Sequence, residues 1–525
     1  MWDRESIYHQ SLFISIDEVT KLPILDEYIT IKEMVAIELN ADYLGVSTQL
    51  MMENAGRAIA NEVAKRFSKK SKIVSVSGLT GNGGDAFTAA RHLACMGYMV
   101  ESLVLGDPEN ITLENSRVNY NAVSHMMDSI KLTVIKDSSL IPDIKADVII
   151  DGLIGTSLHG ALRPPALQMV QAINKSDAYR VSVDIPTGME ADTGKVHDEA
   201  VKADLTLTFH KPKMGYKHNP KVTKELIQAS IGIPLEAEHY IGPGDVWMLN
   251  KKREPDSHKG MWGSLLVVGG SETYSGAPTL SSLAAYRMGI DLVYTAVPET
   301  AAEAVAGTSP SMITVKLKGE RLSLDNLGQV EEFLDKVSAV AVGPGLGVAS
   351  ETGEAVNELV KMVNKRGLPI VLDADGLKTY AKKPVKLDVP AVFTPHGREF
   401  VLLTGKEATG THLEKGEVVR ESAKKLGSVV LLKGNVDVIS NGVYTRYNWT
   451  GNPGMTVGGT GDVLTGIVGA YLAQNADPFY AAGAASFING KAGDMVAEKK
   501  GYHLLPEDLV NVIPEVIEDC LSHRV

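Results

Sequence analysis

The chain has only two cysteines in 525 residues, Cys95 and Cys520, and they lie far apart. Two isolated thiols form neither a metal-ligand spacing nor a disulfide framework, and we expect both to be inert in a reducing cytoplasm. The sequence also lacks an apolar run long enough to span a bilayer and the basic-then-apolar start of a signal peptide. We therefore predict a cytoplasmic protein that has no membrane partner.

Charge is not concentrated anywhere in the chain. The net charge is −12, but no long run of like charge occurs, so we expect no nucleic-acid partner. Hydrophobic residues make up 44% of the chain, which is typical of a globular protein. At 525 residues the chain is too long for one ordinary domain, and we expect two to four.

Two series of short apolar runs alternate with helical patterns, one in residues 1–238 and one in residues 239–525. Such runs are typical of buried parallel strands, and their alternation with helices predicts α/β domains that bind ligands at the carboxyl ends of the strands. The segment Ile241–Gly260, with Gly-Pro-Gly and a charged run, is interpreted as a junction. The predicted strands are Ile73–Val76, Val100–Leu105, Val148–Asp151, Val181–Asp184 and Leu205–Phe209, then a run starting at Leu265, Ala339–Val342, Pro369–Asp373, Ala391–Phe393 and Val429–Leu432.

The segment from Asn452 to Leu464, NPGMTVGGTGDVL, carries the strongest chemical signal. Its glycines let the backbone approach a ligand closely, and it leads into an apolar helical pattern. A helix N-terminus binds anions such as phosphate through unpaired N–H groups and a partial positive charge. Asp462 falls in the first predicted turn, where its carboxylate can act as a base beside a reacting phosphoryl group.

Three predicted strands of the first series end in polar or glycine-rich segments. Gly78–Ala86, GLTGNGGDA, follows a strand and opens a helix, a context that suits phosphate recognition by backbone N–H groups. Asp151–Thr156 and Ser182–Gly188 follow two further strands. We expect the three segments to converge on one crevice.

These segments resemble the NAD(P)H-hydrate epimerase domain, the YjeF N-terminal family, over about residues 30–235. The resemblance implies a Rossmann-like doubly wound domain that interconverts the R and S forms of hydrated NADH and NADPH, with Asp184 as the residue that moves a proton. It also implies a potassium ion at Asn82, Asp151 and Thr187, whose oxygen atoms suit a hard cation. The hydrate-binding residues that it implies are Gly81, Asn82, Gly83, Gly84, Asp85, Gly155, Thr156, Ser157, Leu158, His159, Gly160, Ala161 and Asp184.

The glycine loop departs from the usual family pattern, Gly-x-Gly-Asn-Asn-Gly-Gly-Asp-Gly. Thr80 stands for a glycine, Gly81 for the first asparagine and Ala86 for the last glycine, while Thr187 stands where serine is usual. Because Gly81 removes one side-chain contact, a second interpretation stays open. In it, the first half is a non-catalytic nucleotide-binding module that only supports assembly.

Several motifs of the second series accompany the Gly-Thr-Gly-Asp loop, most of them at predicted strand ends or helix starts. They are Ser257–Gly260, Tyr274–Pro278, Val342–Gly347, Asp373–Gly376, Thr394–Glu399 and Lys433–Asp437. Each has an ordinary structural explanation by itself: His396 can be a helix cap, and Asp373 and Asp375 can be turn carboxylates. Their joint order is harder to explain by structure alone.

The set closely resembles the ADP-dependent NAD(P)H-hydrate dehydratases, the YjeF C-terminal or CARKD-type family, over about residues 240–520. The resemblance implies a ribokinase-like fold, ADP as co-substrate, as in bacterial and archaeal members, and Mg²⁺ for the dehydratase. We also expect a homo-oligomer. The residues implied to contact the hydrate are Ala277, Gly345, His396 and Asp462, and those implied to contact the adenine nucleotide are Lys433, Gly434, Asn435, Val436, Asp437 and Gly461.

The implied chemistry removes a hydroxyl group that is a poor leaving group. Phosphoryl transfer to the hydroxyl at nicotinamide C6 makes it a good one, and elimination then restores the dihydronicotinamide and leaves AMP and phosphate. The Gly459–Asp462 segment stabilises the transferred phosphoryl group, and Asp462 takes the hydroxyl proton. The family's dehydratases act on the S hydrate, so an epimerase in the same chain supplies their substrate.

A small-molecule kinase of the ribokinase-like superfamily, for example one that phosphorylates a vitamin alcohol, is the alternative. It shares the Gly-Thr-Gly-Asp loop, whereas the first half of the chain and Thr394–Glu399 argue against it. A kinase accumulates a phosphorylated product, but a dehydratase releases inorganic phosphate and NADH.

Overall fold

The computed structural model describes residues 27–522 and contains two α/β units, each built on its own sheet. The helices up to the second sheet are α1 (Ile31–Tyr43), α2 (Thr48–Arg66), α3 (Gly81–Cys95), α4 (Glu114–Ser124), α5 (Ala166–Lys175), α6 (Met214–His218), α7 (Glu236–His239) and α8 (Pro243–Leu249). The strands of the first sheet are β1 (Lys72–Ser77), β2 (Met99–Leu105), β3 (Ile130–Ile135), β4 (Val148–Gly152), β5 (Tyr179–Val183), β6 (Ala203–Phe209) and β7 (Thr223–Ala229).

The second unit follows the same alternation. Its strands are β8 (Ser264–Val268), β9 (Leu292–Pro298), β10 (Ile313–Leu317), β11 (Ala339–Val342), β12 (Ile370–Leu372), β13 (Ala391–Phe393), β14 (Val429–Leu432), β15 (Asp437–Ser440) and β16 (Thr445–Asn448). Its helices are α9 (Gly276–Arg287), α10 (Glu299–Thr308), α11 (Leu327–Leu334), α12 (Ser350–Lys365), α13 (Ala374–Lys382), α14 (Gly397–Thr404), α15 (His412–Leu426), α16 (Thr460–Ala473), α17 (Pro478–Lys500) and α18 (Pro506–Ser522). Within residues 27–522 no helix is both long and apolar enough to cross a bilayer.

The first sheet is entirely parallel, with the strand order β3-β2-β1-β4-β5-β6-β7. The chain first forms β1, then β2 and β3 on one side of it, and then returns to place β4 to β7 on the other side. Ser77 on β1 is paired with Gly152 on β4, so the loops that leave these two strands start side by side. This reversal is the switch point where doubly wound sheets bind ligands, and the order confirms the predicted Rossmann-like fold.

The second sheet repeats this order over β10-β9-β8-β11-β12-β13-β14 and adds β15 and β16, which run antiparallel at one edge. Val268 on β8 is paired with Val342 on β11, which sets a second switch point. α16 is buried on nearly all sides, as expected of a helix that is apolar around its whole circumference. The chain is therefore confirmed as a two-unit α/β protein.

The two units share a buried polar interface formed largely by α1, α8 and residues of the second unit. The Asp245 carboxylate on α8 is ion-paired with Arg446 on β16 and accepts a hydrogen bond from Asn40 Nδ2 on α1, at 3.2 Å. Tyr480 Oη donates to Glu33 Oε1 at 2.9 Å. Asn40, Asp245 and Arg446 are all buried. α1 thus belongs to the first unit while packing on the second.

Every predicted strand is present, but six strands were missed: β3, β7, β9, β10, β15 and β16. Three of the missed strands, β3, β7 and β10, lie at or near exposed sheet edges and carry half-buried or exposed residues. Edge strands therefore lack the continuous apolar runs that identified the central ones. The predicted junction Ile241–Gly260 also contains a helix, α8, that packs on both units.

Candidate active sites

The glycine loop after β1 needs glycine at some positions and not at others. A Cβ atom on Gly78 would lie 1.9 Å from the Leu153 carbonyl oxygen, and one on Gly83 would lie 2.0 Å from the Gly78 carbonyl oxygen. A Cβ on Gly81 would meet only Leu113 Cδ1, at 3.9 Å. The departure at Gly81 therefore leaves room in the loop, whereas Gly78 and Gly83 are required by the close approach of backbone to backbone.

A cavity of about 430 Å³ lies at the first switch point, within the size range of small-ligand sites. It brings together the glycine loop, the segment after β4 and Asp184. The predicted residues that line it are Gly81, Asn82, Asp85, Gly155, Thr156, Ser157 and Asp184. The predicted residues Gly83, Gly84, Leu158, His159, Gly160 and Ala161 are not in its lining. Leu158 instead packs in the core beneath it.

Asp184 directly follows β5 and adopts a left-handed backbone conformation with a φ of 57°, which is uncommon for a residue other than glycine. Its Oδ1 accepts hydrogen bonds from Thr208 Oγ1 and the Phe209 backbone N–H, both at 3.0 Å. The same oxygen is ion-paired with Lys213, which is 1% exposed. No described residue donates to Oδ2, so one carboxylate oxygen is fixed by the protein and the other is available to a ligand.

Asp151 and Thr187 form one buried cluster. Asp151 Oδ1 accepts from Thr187 Oγ1 at 2.6 Å, and Asp151 Oδ2 accepts from Ser182 Oγ at 2.8 Å and from the Thr187 backbone N–H at 3.0 Å. Burial raises the pKa of Asp151, and these hydrogen bonds oppose the shift. Asn82 points its amide nitrogen to the Val183 carbonyl oxygen at 2.8 Å. Across residues 27–522, no three His, Cys, Asp or Glu side chains form a metal cluster.

The cavity also contains two carboxyl groups whose pKa values are raised. Burial raises the pKa of Glu38, on α1, to about 7, against the attraction of Lys213 and with a further contribution from Asp184. The pKa of Asp85 is also raised well above its usual range by burial and by the nearby Asp184 and Glu38 carboxylates. Of the three carboxyl groups in the cavity, Glu38 is thus the one that exchanges a proton near pH 7.

At the second switch point, Gly345 adopts a φ of 69° and packs against the start of α9. A Cβ atom on Gly345 would lie 2.9 Å from Tyr274 Cβ and 3.3 Å from Ala277 Cβ. The predicted residues Ala277 and Gly345 therefore lie next to each other. Pro278 is the third residue of α9, within the first turn as predicted.

The glycine-rich segment before α16 forms the predicted helix N-terminus. Gly459 is the N-cap with a φ of 108°, and Asp462 lies in the first turn. Burial, together with the carboxylates of Asp373, Asp375 and Glu399, raises the pKa of Asp462 to about 7, although Lys433 opposes the shift. Asp462 is thus a carboxylate that exchanges a proton near neutral pH, as a general base requires.

Lys433 lies beside this helix start. Its Nζ donates to Asp373 Oδ1 at 2.8 Å, and Asp373 Oδ2 accepts from Thr465 Oγ1, on α16, at 2.7 Å. A Cβ on Gly461 would lie 3.4 Å from Lys433 Nζ. Despite burial, Asp373, Glu399 and Asp462 together keep the pKa of Lys433 above its usual value. The structure therefore brings Lys433, Gly461 and Asp462 together.

His396 and Asp437 have structural partners of their own. His396 is the N-cap of α14. Its Nδ1 accepts a hydrogen bond from the Arg398 backbone N–H at 3.2 Å, and its backbone N–H donates to Glu399 Oε2 at 3.0 Å. The Asp437 carboxylate accepts from Gly434 N–H and Ser486 Oγ, and Val436 is buried in the core. Gly434 and Asn435 are exposed, so they are the part of this segment open to a ligand.

Sequence reasoning missed Glu38, Lys213 and Thr465. Lys213 follows β6 closely, so the strand-end pattern that identified Asp184 contained a signal for it. Thr465 lies one helical turn after Gly461, on the face that Asp373 contacts. Glu38 lies on a helix that precedes the sheet, and only the packing of α1 brings it to the cavity.

The chain is similar to known proteins over nearly its whole length. A family model described as NAD(P)H-hydrate dehydratase matches residues 265–515, and one described as YjeF-related protein N-terminus matches residues 48–215. The bifunctional NAD(P)H-hydrate repair enzyme of Pyrobaculum aerophilum is 44% identical over 502 residues, which cover 94% of this chain and 98% of the relative. The Hyperthermus butylicus enzyme of the same name is 41% identical and covers 95% of this chain and 94% of its own. Among solved structures, an ADP/ATP-dependent NAD(P)H-hydrate dehydratase from Bacillus subtilis, co-crystallised with ATP and Mg²⁺, is 27% identical, with a TM-score of 0.47 over 54% of this chain and 99% of that chain.

Proposed function

Because the chain belongs to the bifunctional NAD(P)H-hydrate repair enzymes, we propose that each of its two sites performs one of the family's two activities. The protein is an enzyme that epimerises hydrated NADH and NADPH and dehydrates the hydrate to the reduced nucleotide. We assign the epimerase to residues 1–238 and the dehydratase to residues 239–525. The observation that carries this assignment is that each unit has its own polar site at the switch point of its own sheet.

In the proposed dehydratase reaction, Asp462 removes the proton from the C6 hydroxyl of the S hydrate as that oxygen attacks the terminal phosphoryl group of the nucleotide. The N-terminus of α16 and Lys433 stabilise the negative charge on the transferred group. The N1 electron pair then expels the phosphorylated oxygen from C6 as phosphate, and loss of a proton from C5 to water forms the C5=C6 double bond. AMP is the second product when ADP is the donor. Asp462 lies beside Lys433 and has a pKa raised to about 7, and both observations support this role.

Residues for the two ligands of the dehydratase follow the family positions. Lys433, Gly434, Asn435, Val436, Asp437 and Gly461 are proposed to hold the nucleotide. The exposed backbone at Gly434 and Asn435 makes direct contact, and Asp437 shapes the loop. Ala277, Gly345, His396 and Asp462 are proposed to hold the hydrate. Mg²⁺ would be held by one or two carboxylates together with the nucleotide phosphates, and Asp373, Asp375 and Glu399 are the carboxylates near Asp462 that could serve.

In the proposed epimerase, Asp184 moves a proton on the bound hydrate. The fixed Oδ1 and available Oδ2 of Asp184 support this role, since a proton-transfer group must be oriented and also reach the ligand. The hydrate is proposed to occupy the cavity of about 430 Å³. Its predicted contacts Gly81, Asn82, Asp85 and Gly155–Ser157 line that cavity, whereas Gly83, Gly84 and Leu158–Ala161 do not.

A potassium ion is proposed at Asn82, Asp151 and Thr187. Asp151 is a fully buried carboxylate that no cationic side chain pairs within the described residues, and buried charges are normally paired or bound to metal ions. The oxygen donors present suit a hard cation of low charge. Replacing K⁺ by tetramethylammonium should slow epimerisation while S-hydrate dehydration continues. An unchanged epimerisation rate at every K⁺ concentration would remove this assignment.

The function is tested by incubating a mixture of R and S hydrates with ADP and Mg²⁺. We expect complete recovery of reduced-nicotinamide absorbance, with one inorganic phosphate and one AMP released for each hydrate. A stable phosphorylated organic product would instead identify a kinase. We propose that ADP is the preferred donor, and equal or faster turnover with ATP would refute that preference.

The proposed homo-oligomer is tested separately: light scattering measures the molar mass in solution, and the mass of a single chain would refute it.

A further inference from the structure

The epimerase cavity contains four ionisable side chains, and two of them lie outside the motifs found in the sequence. These two are Glu38 on α1 and Lys213 after β6. Lys213 is committed to its ion pair with Asp184. Among residues 27–522 no group hydrogen-bonds to the Glu38 carboxyl. Glu38 is thus a carboxyl group that faces the cavity and has no structural task there.

The surroundings of Glu38 favour its protonated form. Apolar side chains make up much of the lining near α1 and α2, and they include Met34, Met51, Met52, Ala55 and Phe209. The charged groups that act on Glu38 are Lys213, Asp184 and Asp85. Burial outweighs the attraction of Lys213 and raises the pKa of Glu38 to about 7. The cavity therefore offers a proton donor in Glu38 and a lysine-paired carboxylate in Asp184.

Inversion at C6 of the hydrate requires both an acid and a base. C6 carries the hydroxyl group and is bonded to N1, so the ring can open as a hemiaminal does. A base takes the hydroxyl proton, C6=O forms, and the C6–N1 bond breaks with its electron pair going to N1, which takes a proton from an acid. Rotation and closure on the opposite face return both protons, so no other reactant is consumed.

We propose that Glu38 is the second proton-transfer residue of the epimerase: it protonates and deprotonates N1, while Asp184 does the same at the C6 oxygen. This proposal rests on the proposed epimerase function of the first unit. The two groups come from different elements, α1 and the end of β5, and both line one cavity. Asp85 lies in the first turn of α3, on the glycine loop, and is assigned to binding the hydrate.

The test measures epimerisation of purified R hydrate by chromatography in the absence of nucleotide, so that the dehydratase is idle. Glu38→Gln keeps the shape of the protonated side chain but cannot transfer a proton. We expect kcat for epimerisation to fall about 10²–10⁴-fold, a typical cost of losing an acid–base group, with KM within about threefold of the wild-type value. The alkaline limb of the wild-type pH profile, near pH 7, should disappear. Dehydration of S hydrate with ADP reports the folding of the second unit in each preparation, and far-UV circular dichroism reports the folding of the whole chain.

Glu33→Gln is the matched control, because it makes the same change on the same helix but faces the second unit; its epimerisation should be unchanged. Glu38→Asp should keep the alkaline limb of the pH profile and recover part of the rate. If Glu38→Gln fails to fold, the rate and pH profile of Glu38→Asp test the proposal instead. Wild-type kcat in Glu38→Gln, or a tenfold rise in KM with unchanged kcat, would overturn the proposal. A wild-type enzyme that does not accelerate epimerisation would overturn the epimerase assignment as well.

Discussion

Asp462 is the proposed base of the dehydratase. Asp462→Asn keeps the size of the side chain but removes the base. We expect dehydration of the S hydrate to fall about 10²–10⁴-fold, while nucleotide affinity, measured by calorimetry, changes little because Lys433 and the α16 N-terminus remain. Near-normal dehydration by Asp462→Asn would refute the role.

Two glycines of one loop should respond differently to the same substitution. Gly83→Ala places a Cβ 2.0 Å from the Gly78 carbonyl oxygen, whereas Gly81→Ala meets nothing closer than 3.9 Å. We expect Gly83→Ala to abolish epimerisation by displacing the loop, and Gly81→Ala, which leaves the loop in place but adds a methyl group at the cavity, to lower it much less, as measured on R hydrate without nucleotide. Equal effects of the two substitutions would show that backbone packing does not explain the loop sequence.

At the scale of elements, α1 links the two units, since it presents Glu38 to the epimerase cavity and Asn40 to Asp245. Asp245→Ala leaves the Arg446 guanidinium buried without its carboxylate. Loss of one partner of a buried pair costs about 3–5 kcal/mol of unfolding free energy, and urea denaturation measures it. The control Asp388→Ala, which breaks an exposed ion pair with Lys386, should leave the urea concentration at the midpoint of unfolding unchanged. An equally small effect of Asp245→Ala would show that the interface pair does not stabilise the protein.

How far the sequence predicts each strand depends on whether its residues form a continuous apolar run, since the wholly buried β16 has the sequence TRYN and was missed. Central strands such as β11 and β14 are wholly buried, so their apolar runs are visible in the sequence. β7 consists mostly of exposed or half-buried residues at the sheet edge, and its place depends on pairing with β6. Likewise, Asp184 directly follows an apolar strand and Asp462 lies where a glycine-rich loop enters an apolar helix, but Glu38 reaches its cavity only through tertiary packing. The assigned roles of the site residues stay predictions.

For the whole molecule, the two activities should depend on pH in opposite directions. Asp462 must lose its proton to act as a base, so kcat/KM for dehydration should rise as the pH increases through about 7. Glu38 must hold its proton to act as the first acid, so kcat/KM for epimerisation should fall as the pH increases past about 7. Separate profiles for S hydrate with ADP and for R hydrate alone measure the two limbs. Profiles that rise together would contradict one of the two assignments.

Two sites in one chain are proposed to act in sequence on the two forms of the hydrate. This sequential action is tested most directly by the time course of Asp184→Asn with mixed R and S hydrates, ADP and Mg²⁺. We expect rapid dehydration of the S fraction at the wild-type rate, followed by a slow phase limited by uncatalysed epimerisation, where the wild-type enzyme shows one fast phase to completion. A single fast phase in Asp184→Asn, or equal loss of both phases, would refute the separate action of the two sites.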